Sequence, residues 1–398
     1  MTKKLIFILV ILLIFICIPL SFASEDNSLN DTVYTQSTDD DILSAQEIYF
    51  NASAEVDGDG SKENPYKTLN IQRIGYGNTL YFANGVYELQ RTTTINKATF
   101  IGQDADKTVI NQNGREIYVS GSLTLQNLTL SKSSITNNAA VVRATNVIFD
   151  GGSAKVSDKY DASFGGAISN FVSEDYHSYA ATPELYIDNC TFINNNAVYG
   201  GAIYLEYGSV QINNSVFKNN YAQNFGGALC LDVGSTATVE NSIFDGDISK
   251  TGEAGGIYVT KSKLTMDNCT FNNCLGTLGA GICDLNSTLI LSAIKAYNNV
   301  AAYDGGVIYK MYGSISISDS EFNKNGAKNG GAVYVDNASK FILKDSKFND
   351  NYVSLNGGAI YSLSNSGREF SNNTYSNNTA ALYNDELITN EYNMRIGS

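Results

Sequence analysis

One stretch returns throughout the chain and narrows what it can fold into. Its clearest copy is Phe348–Tyr361 (FNDNYVSLNGGAIY): an aromatic, an asparagine three residues later, a short polar segment, then Gly-Gly-Ala-Ile-Tyr. Glycine pairs recur at Gly165-Gly166, Gly200-Gly201, Gly226-Gly227, Gly255-Gly256, Gly305-Gly306, Gly330-Gly331 and Gly357-Gly358, and Gly279-Ala280-Gly281-Ile282 fills the one gap. A period of about 25 to 29 residues, after a longer first interval, marks a solenoid, whose repeats bury their apolar sides only by stacking on one another. Any function of such a chain resides on a repeat surface.

Between the glycine pairs the pattern is that of strands. Leu264-Thr-Met-Asp and Ser314-Ile-Ser-Ile-Ser-Asp alternate with period two, and no segment sustains a helical stripe. A second strand reads small residue, any residue, aromatic, as in Cys190-Thr-Phe192, Ser215-Val-Phe217, Ser242-Ile-Phe244, Cys269-Thr-Phe271, Ser320-Glu-Phe322 and Ser346-Lys-Phe348. Alternation puts the small residue and the aromatic on one face, taken as the interior. A third strand is the Ala-Ile-Tyr after the glycines, with asparagine and glycine at the corners because they tolerate left-handed backbone. Three short strands per period predict an all-β chain, a single-stranded parallel β-helix solenoid with coils about 4.8 Å apart. Like then stacks on like, giving a phenylalanine ladder and a structural ladder of Asn195, Asn220, Asn299, Asn325, Asn351 and Asn378.

The paired motifs Gly-Gly-Ala-(Ile/Leu/Val) and Phe-x-x-Asn resemble those of the chlamydial polymorphic outer-membrane proteins. They resemble still more the large adhesin-like surface proteins of gut methanogenic archaea. The resemblance covers roughly Tyr49 to Asn384 and implies the right-handed parallel β-helix of the pectate-lyase-like superfamily; it is specific for fold and weak for function. Some coils depart from it. Asp247 and Cys274 stand where asparagine is expected and Ala296 replaces the aromatic, which should loosen the ladders locally without breaking the solenoid.

Taken in order, residues 1–23 read as a secretory signal peptide: Lys3 and Lys4, an apolar run from Leu5 to Leu20, then Ser21-Phe22-Ala23. An uncleaved anchor is the rival, but the run is short for a full span, and no second spanning run follows. Residues 24–48 read as a disordered acidic spacer, 49–385 as the repeat domain and 386–398 as a tail or cap over the open end. Asp57 to Leu69 (DGDGSKENPYKTL) resembles the N-terminal opening of many pectate-lyase-like β-helices, with Leu69–Ile74 as a short capping helix. Thr79–Tyr87 (TLYFANGVY) should form the first strand pair. Asp57 and Asp59 lack the rest of a calcium loop, and the one histidine, His177, sits in a polar insertion and is read as solvated.

The formal charge is −14, more acidic still without Lys3 and Lys4, which argues against nucleic acid and anionic lipid as partners. Once Cys17 leaves with the leader, five cysteines remain: Cys190, Cys230, Cys269, Cys274 and Cys283. An odd number allows no complete disulfide framework, so they read as small buried thiols, with one bridge or a metal conceivable among the last three. Asn-x-Ser/Thr sequons run from Asn30 to Asn377, and the repeat's own corner chemistry accounts for several of them.

For function, the fold hosts many polysaccharide lyases and hydrolases, yet Arg91, Arg115, Arg143 and Arg368 are scattered and Asp304, Asp319 and Asp345 fall near corners as turn residues. The expectation is a non-catalytic, secreted, cell-surface-associated adhesin without cofactor or metal, contacting glycans or other cells. Tyr204, Tyr258, Tyr309, Tyr334 and Tyr361 form its speculative binding row: on the outer face they could stack on sugars, though the same alternation allows them to point inward. A polysaccharide lyase or hydrolase, and a structural wall protein or remnant of a larger adhesin, stay open as alternatives.

Overall fold

The computed structural model describes residues 45–70, 74, 76–156, 162–170, 182–363, 367–381 and 387–389. The expected leader (1–23), most of the spacer and of the tail, and His177 lie outside them. The compact unit Leu43–Ser398 carries the fold. It is an all-β, right-handed parallel solenoid of about 11 turns, with no helix among the described residues. The expected helix over Leu69–Ile74 is not seen at its described residues, Leu69, Asn70 and Ile74.

A regular coil holds four strands rather than the expected three. In one coil they are Ser209–Asn213, Val216–Lys218, Tyr221–Phe225 and Leu229–Leu231. The additional strand is the segment read as a polar loop between the asparagine and the glycines. In other coils it shrinks to Ile248–Ser249 or Val300–Ala301, too short to display alternation. These segments stack into a separate eight-stranded sheet, and the other strands join a 33-stranded one. All pair in parallel with the same position one coil away, so Val210 faces Ala237, Phe217 faces Phe244 and Leu229 faces Ile257. The expected first strand pair is present as Asn78–Phe82 and Gly85–Glu88.

The corners follow from side chains that tolerate positive φ. Asn214 (φ 51°) and Asn219 (φ 53°) turn the chain into the second and third strands, and Asp319 and Asp345 (both φ 52°) act alike. The aromatic one residue inside each second strand then stacks on its neighbours. Phe149, Phe192, Phe217, Phe244 and Phe271 form a column with centroids 4.5–4.9 Å apart. The parallel register fixes that spacing and so holds the rings nearly face to face. Ala296 interrupts the column, which resumes as Phe322–Phe348–Tyr375.

The asparagine ladder is structural, and each amide is used on both sides. Asn220 Oδ1 accepts from the backbone N–H (3.1 Å) and Nδ2 (2.9 Å) of Asn195. Its own Nδ2 donates to the Phe192 carbonyl (3.0 Å) and to Asp247 Oδ1 (2.9 Å). Asn299, Asn325, Asn351 and Asn378 repeat the arrangement. A buried primary amide with this many partners avoids the cost of orphaned polar atoms.

The glycine pair is needed for two separate reasons. The first member takes positive φ, as at Gly226 (64°); the second has no room for a side chain, since a Cβ on Gly227 would lie 2.2 Å from the Gly255 carbonyl oxygen. The Gly255-Gly256 copy is offset by one residue: Ala254 occupies the left-handed position there (φ 55°), and Gly255 fills the crowded one.

The N-terminal end is closed by the Asp57–Thr68 loop. Tyr49 N–H donates to the Gly60 carbonyl and Tyr66 N–H to the Tyr49 carbonyl, both at 2.9 Å. The Tyr66 ring packs on Phe50 with centroids 5.8 Å apart. Asp57 accepts from the Lys67 and Thr68 amides, and Asp59 from the Ser61 amide. Both carboxylates are therefore engaged in holding the loop.

Candidate functional site

The row of five tyrosines is mostly interior. Tyr204, Tyr258, Tyr309 and Tyr334 are 4–9% exposed and Tyr361 is partly buried. On the three-residue strand after the glycines, the residues before and after each tyrosine face the main core, so the tyrosine points the other way. The chain does not leave that side open. Phe164, Tyr199, Phe225, Leu278, Met311 and Leu363 fold over it and make a second apolar cluster with Cys230 and Cys283. Tyr309, Tyr334 and Tyr361 stack at 5.1 and 5.4 Å, Tyr258 stacks on Phe225 at 4.5 Å, and Tyr204 donates to Asp232 (2.9 Å). Burial drives the phenols of Tyr204, Tyr258, Tyr309 and Tyr334 upward. A sugar cannot lie on rings whose faces are already covered, so these residues are corrected from a binding row to packing.

A half-buried aromatic pair with polar company lies at the N-terminal end instead. Tyr49 and Tyr81 hold the same outward position on successive coils and stack at 4.9 Å with 14° between planes. One carboxylate pins both: Tyr49 donates to Glu47 Oε2 (2.8 Å) and Tyr81 to Glu47 Oε1 (3.3 Å). That hydrogen bond is the main cause holding the Tyr49 phenol above its usual value; for Tyr81 burial leads and Glu47 adds. Beside this shelf a cleft of about 320 Å³ opens between the sheet and the capping loop, lined by Tyr49, Asn51, Lys62, Pro65, Tyr81, Ile101 and Gln103. It is within the size range of small-ligand sites and offers an aromatic wall with amide and ammonium donors. The signal for it is the Tyr-Phe dipeptide, repeated at Tyr49-Phe50 and Tyr81-Phe82. What no local pattern reveals is that Lys62 and Pro65 fold back to form the opposite wall.

Buried and half-buried acids elsewhere serve contacts between or within coils. Asp232 accepts from Tyr204, Asp247 from Asn220, and Asp304 from Asn329 (2.8 Å). Among the described residues no three of His, Cys, Asp and Glu converge as a metal group. The five described cysteines are free and buried, and no helix among the described residues is long and apolar enough to cross a membrane. Arg143 lies over the Tyr186 ring at 4.6 Å.

Comparison with known proteins agrees with this architecture. The right handed beta helix region family matches residues 222–386. The Chlamydia polymorphic membrane protein repeat matches residues 189–206, the segment from Asn189 through the Gly200-Gly201 pair to Glu206. The chain is thus a right-handed parallel β-helix, one coil of which matches the polymorphic membrane protein repeat. Over 230 residues (55% of the chain) it is 25% identical to the probable autotransporter YfaL of Escherichia coli K12, and over 93 residues (23%) it is 32% identical to the metabotropic glutamate receptor-like protein R of Dictyostelium discoideum. The aligned parts are only 17% and 6% of those relatives. Among solved structures, a mannuronic acid specific polysaccharide family 6 lyase from human gut microbiota aligns over 83% of this chain and 82% of its own at 12% identity (TM-score 0.37). A GH136 lacto-N-biosidase from Eubacterium ramulus aligns over 86% and 68% at 10% identity (TM-score 0.40). Both likenesses are too distant to carry chemistry across.

Proposed function

We propose that the chain is a non-catalytic surface β-helix that adheres to glycans through the N-terminal cleft. The observation that carries this reading is the pinned Tyr49–Tyr81 stack beside the hydrogen-bonding groups of Asn51, Lys62 and Gln103. A rigid aromatic shelf gives apolar sugar faces a partner at small entropic cost, while flanking donors fix orientation. The similarity to an autotransporter and to a polymorphic membrane protein repeat supports a place at the cell surface, and the acidic charge of −14 disfavours polyanionic partners such as nucleic acid.

The test is retention of the purified chain on immobilised plant, mucin and bacterial polysaccharides, alongside a depolymerisation assay with and without calcium. The native chain should be retained on at least one polymer without new reducing ends or unsaturated products. The Tyr49→Ala/Tyr81→Ala variant should elute early while keeping its β-sheet circular dichroism. Turnover of a polymer would replace this reading with the lyase or hydrolase one. Retention unchanged in the folded double variant, or no retention at all, would remove the cleft from the account.

A further inference from the structure

Inside the solenoid, the third position of the strand after the glycines forms a column running coil by coil. Leu205, Leu231 and Val259 occupy it, then Asp284 and Lys310, then Val335. Both charged side chains are fully buried. Lys310 Nζ contacts the Asp284 carboxyl directly and donates to the Ser287 carbonyl (2.7 Å). The second carboxyl oxygen, Oδ1, is buried without a partner, and both the backbone and the hydroxyl of Ser287 lie beside this carboxyl.

As an ion pair this arrangement is a poor stabiliser, because two desolvated charges recover little more than they lose, and Val or Leu would fit the column as well. Burial raises the acid and lowers the amine, so both are drawn toward their neutral forms. A neutral, desolvated lysine is a nucleophile, and the parallel register holds it one rung from the carboxyl in a site lined by apolar neighbours.

We infer that Asp284 and Lys310 condense into an intramolecular isopeptide bond that covalently joins two successive coils. Lys310 Nζ attacks Asp284 Cγ, the Nζ–Cγ bond forms and the Cγ–Oδ1 bond breaks. Oδ1 departs as water with the carboxyl proton and one amine proton, and the Ser287 hydroxyl is the group placed to pass that proton. Nothing is oxidised or reduced, and no co-reactant is needed. Holding the two groups in register replaces activation by proximity, which in well-oriented pairs is equivalent to about 10⁵ to 10⁸ M reactant. The inference is independent of what the N-terminal cleft binds.

Mass spectrometry of the denatured native chain tests it. The intact mass should fall short of the sequence mass by one water. Trypsin should leave the Lys310–Met311 bond uncut and release one branched peptide joining Leu264–Lys295 to Ala296–Lys324. Lys310→Met and Asp284→Ala should each restore the full mass, and Ser287→Ala should slow appearance of the bond in freshly made protein. A native chain of full mass, cleaved after Lys310, would overturn the proposal and leave an ion pair; that reading is made on the unmutated protein, so a variant that fails to fold does not obscure it.

Discussion

Asp247 offers a sharp test of how the interior is held, because it replaces an asparagine in a ladder built for amides. Its Oδ1 accepts from the Asn220 N–H (2.8 Å) and Nδ2 (2.9 Å), as an asparagine oxygen would. Its Oδ2 is buried with no partner, and by the register of the ladder it stands where Asn220 Nδ2 meets a carbonyl one coil back, here that of Phe217. A carboxylate there is repelled by the carbonyl and stripped of water, and burial pushes the group from 3.8 up to about 8 despite the two hydrogen bonds from Asn220. The folded chain therefore keeps a proton that the unfolded chain releases above its ordinary pKa. Stability falls as pH rises from about 4 to about 8 and levels off beyond, because there the folded state binds more protons than the unfolded state. At pH 7 the gap amounts to roughly 4 kcal/mol, at 1.36 kcal/mol per pKa unit. Asp247→Asn preserves the contacts and removes the ionisation, so it should stabilise the chain by roughly that amount at pH 7 and by less than about 1 kcal/mol near pH 4. Denaturant unfolding at both pH values, followed by circular dichroism, measures the difference. Equal stability of the two proteins at both pH values, or a less stable variant at pH 7, would refute the neutral-acid account.

Three further outcomes follow from the same interior. Asn325→Ala strands the Asn299 amide, the Asn351 carboxamide and the Ala296 carbonyl, and should cost about 2–5 kcal/mol in the same unfolding measurement; a loss below 1 kcal/mol would show the ladder to be decorative. Gly227→Ala drives a Cβ into the Gly255 carbonyl and the Ile248 backbone and should reach or exceed the top of the usual overpacking range of about 1–3 kcal/mol. Gly114→Ala, with open space and only a positive φ of 73° to oppose it, should cost about 1–2 kcal/mol, and the reverse order would contradict the steric argument. Finally, burial pushes the Cys190 thiol up to about 12 and Cys269 to about 11, with Cys230, Cys274 and Cys283 well above 9. The native chain should leave these five thiols unreactive toward a disulfide reagent at pH 8 and expose all five on unfolding, whereas fast labelling of any of them in the folded state would place that thiol at the surface.

Much of this interior is legible in the sequence because a parallel coil repeats its demands. The Phe-x-x-Asn spacing gives the aromatic column and the amide ladder together, and Asp247, Cys274 and Ala296 are visible as gaps in both. The third strand of a coil is hidden, since Ile248–Ser249 and Val300–Ala301 owe their strand geometry to pairing with their neighbours. The tyrosine row misleads for a related reason. Alternation states that Tyr204 and Tyr258 face away from Ile203 and Ile257, but not whether Phe164 or Phe225 will fold across them. The cleft needs the longest-range knowledge of all, a loop at Lys62 and Pro65 returning to a shelf made by Tyr49 and Tyr81.

The irregular coils also define how the rod would answer to force. In a solenoid each coil grips only its neighbours, so under tension the chain yields where two neighbours hold each other least. The amide ladder lapses at Asp247 and Cys274, and the aromatic column one coil later at Ala296. Asp284 and Lys310 join the coil of Cys274 to the coil of Ala296, across the gap in the aromatic column. A stack of coils pulled from its ends would part between the coils of Asp247 and Cys274 before it parted elsewhere, and the Asp284–Lys310 contact would keep the Ala296 coil on its neighbour.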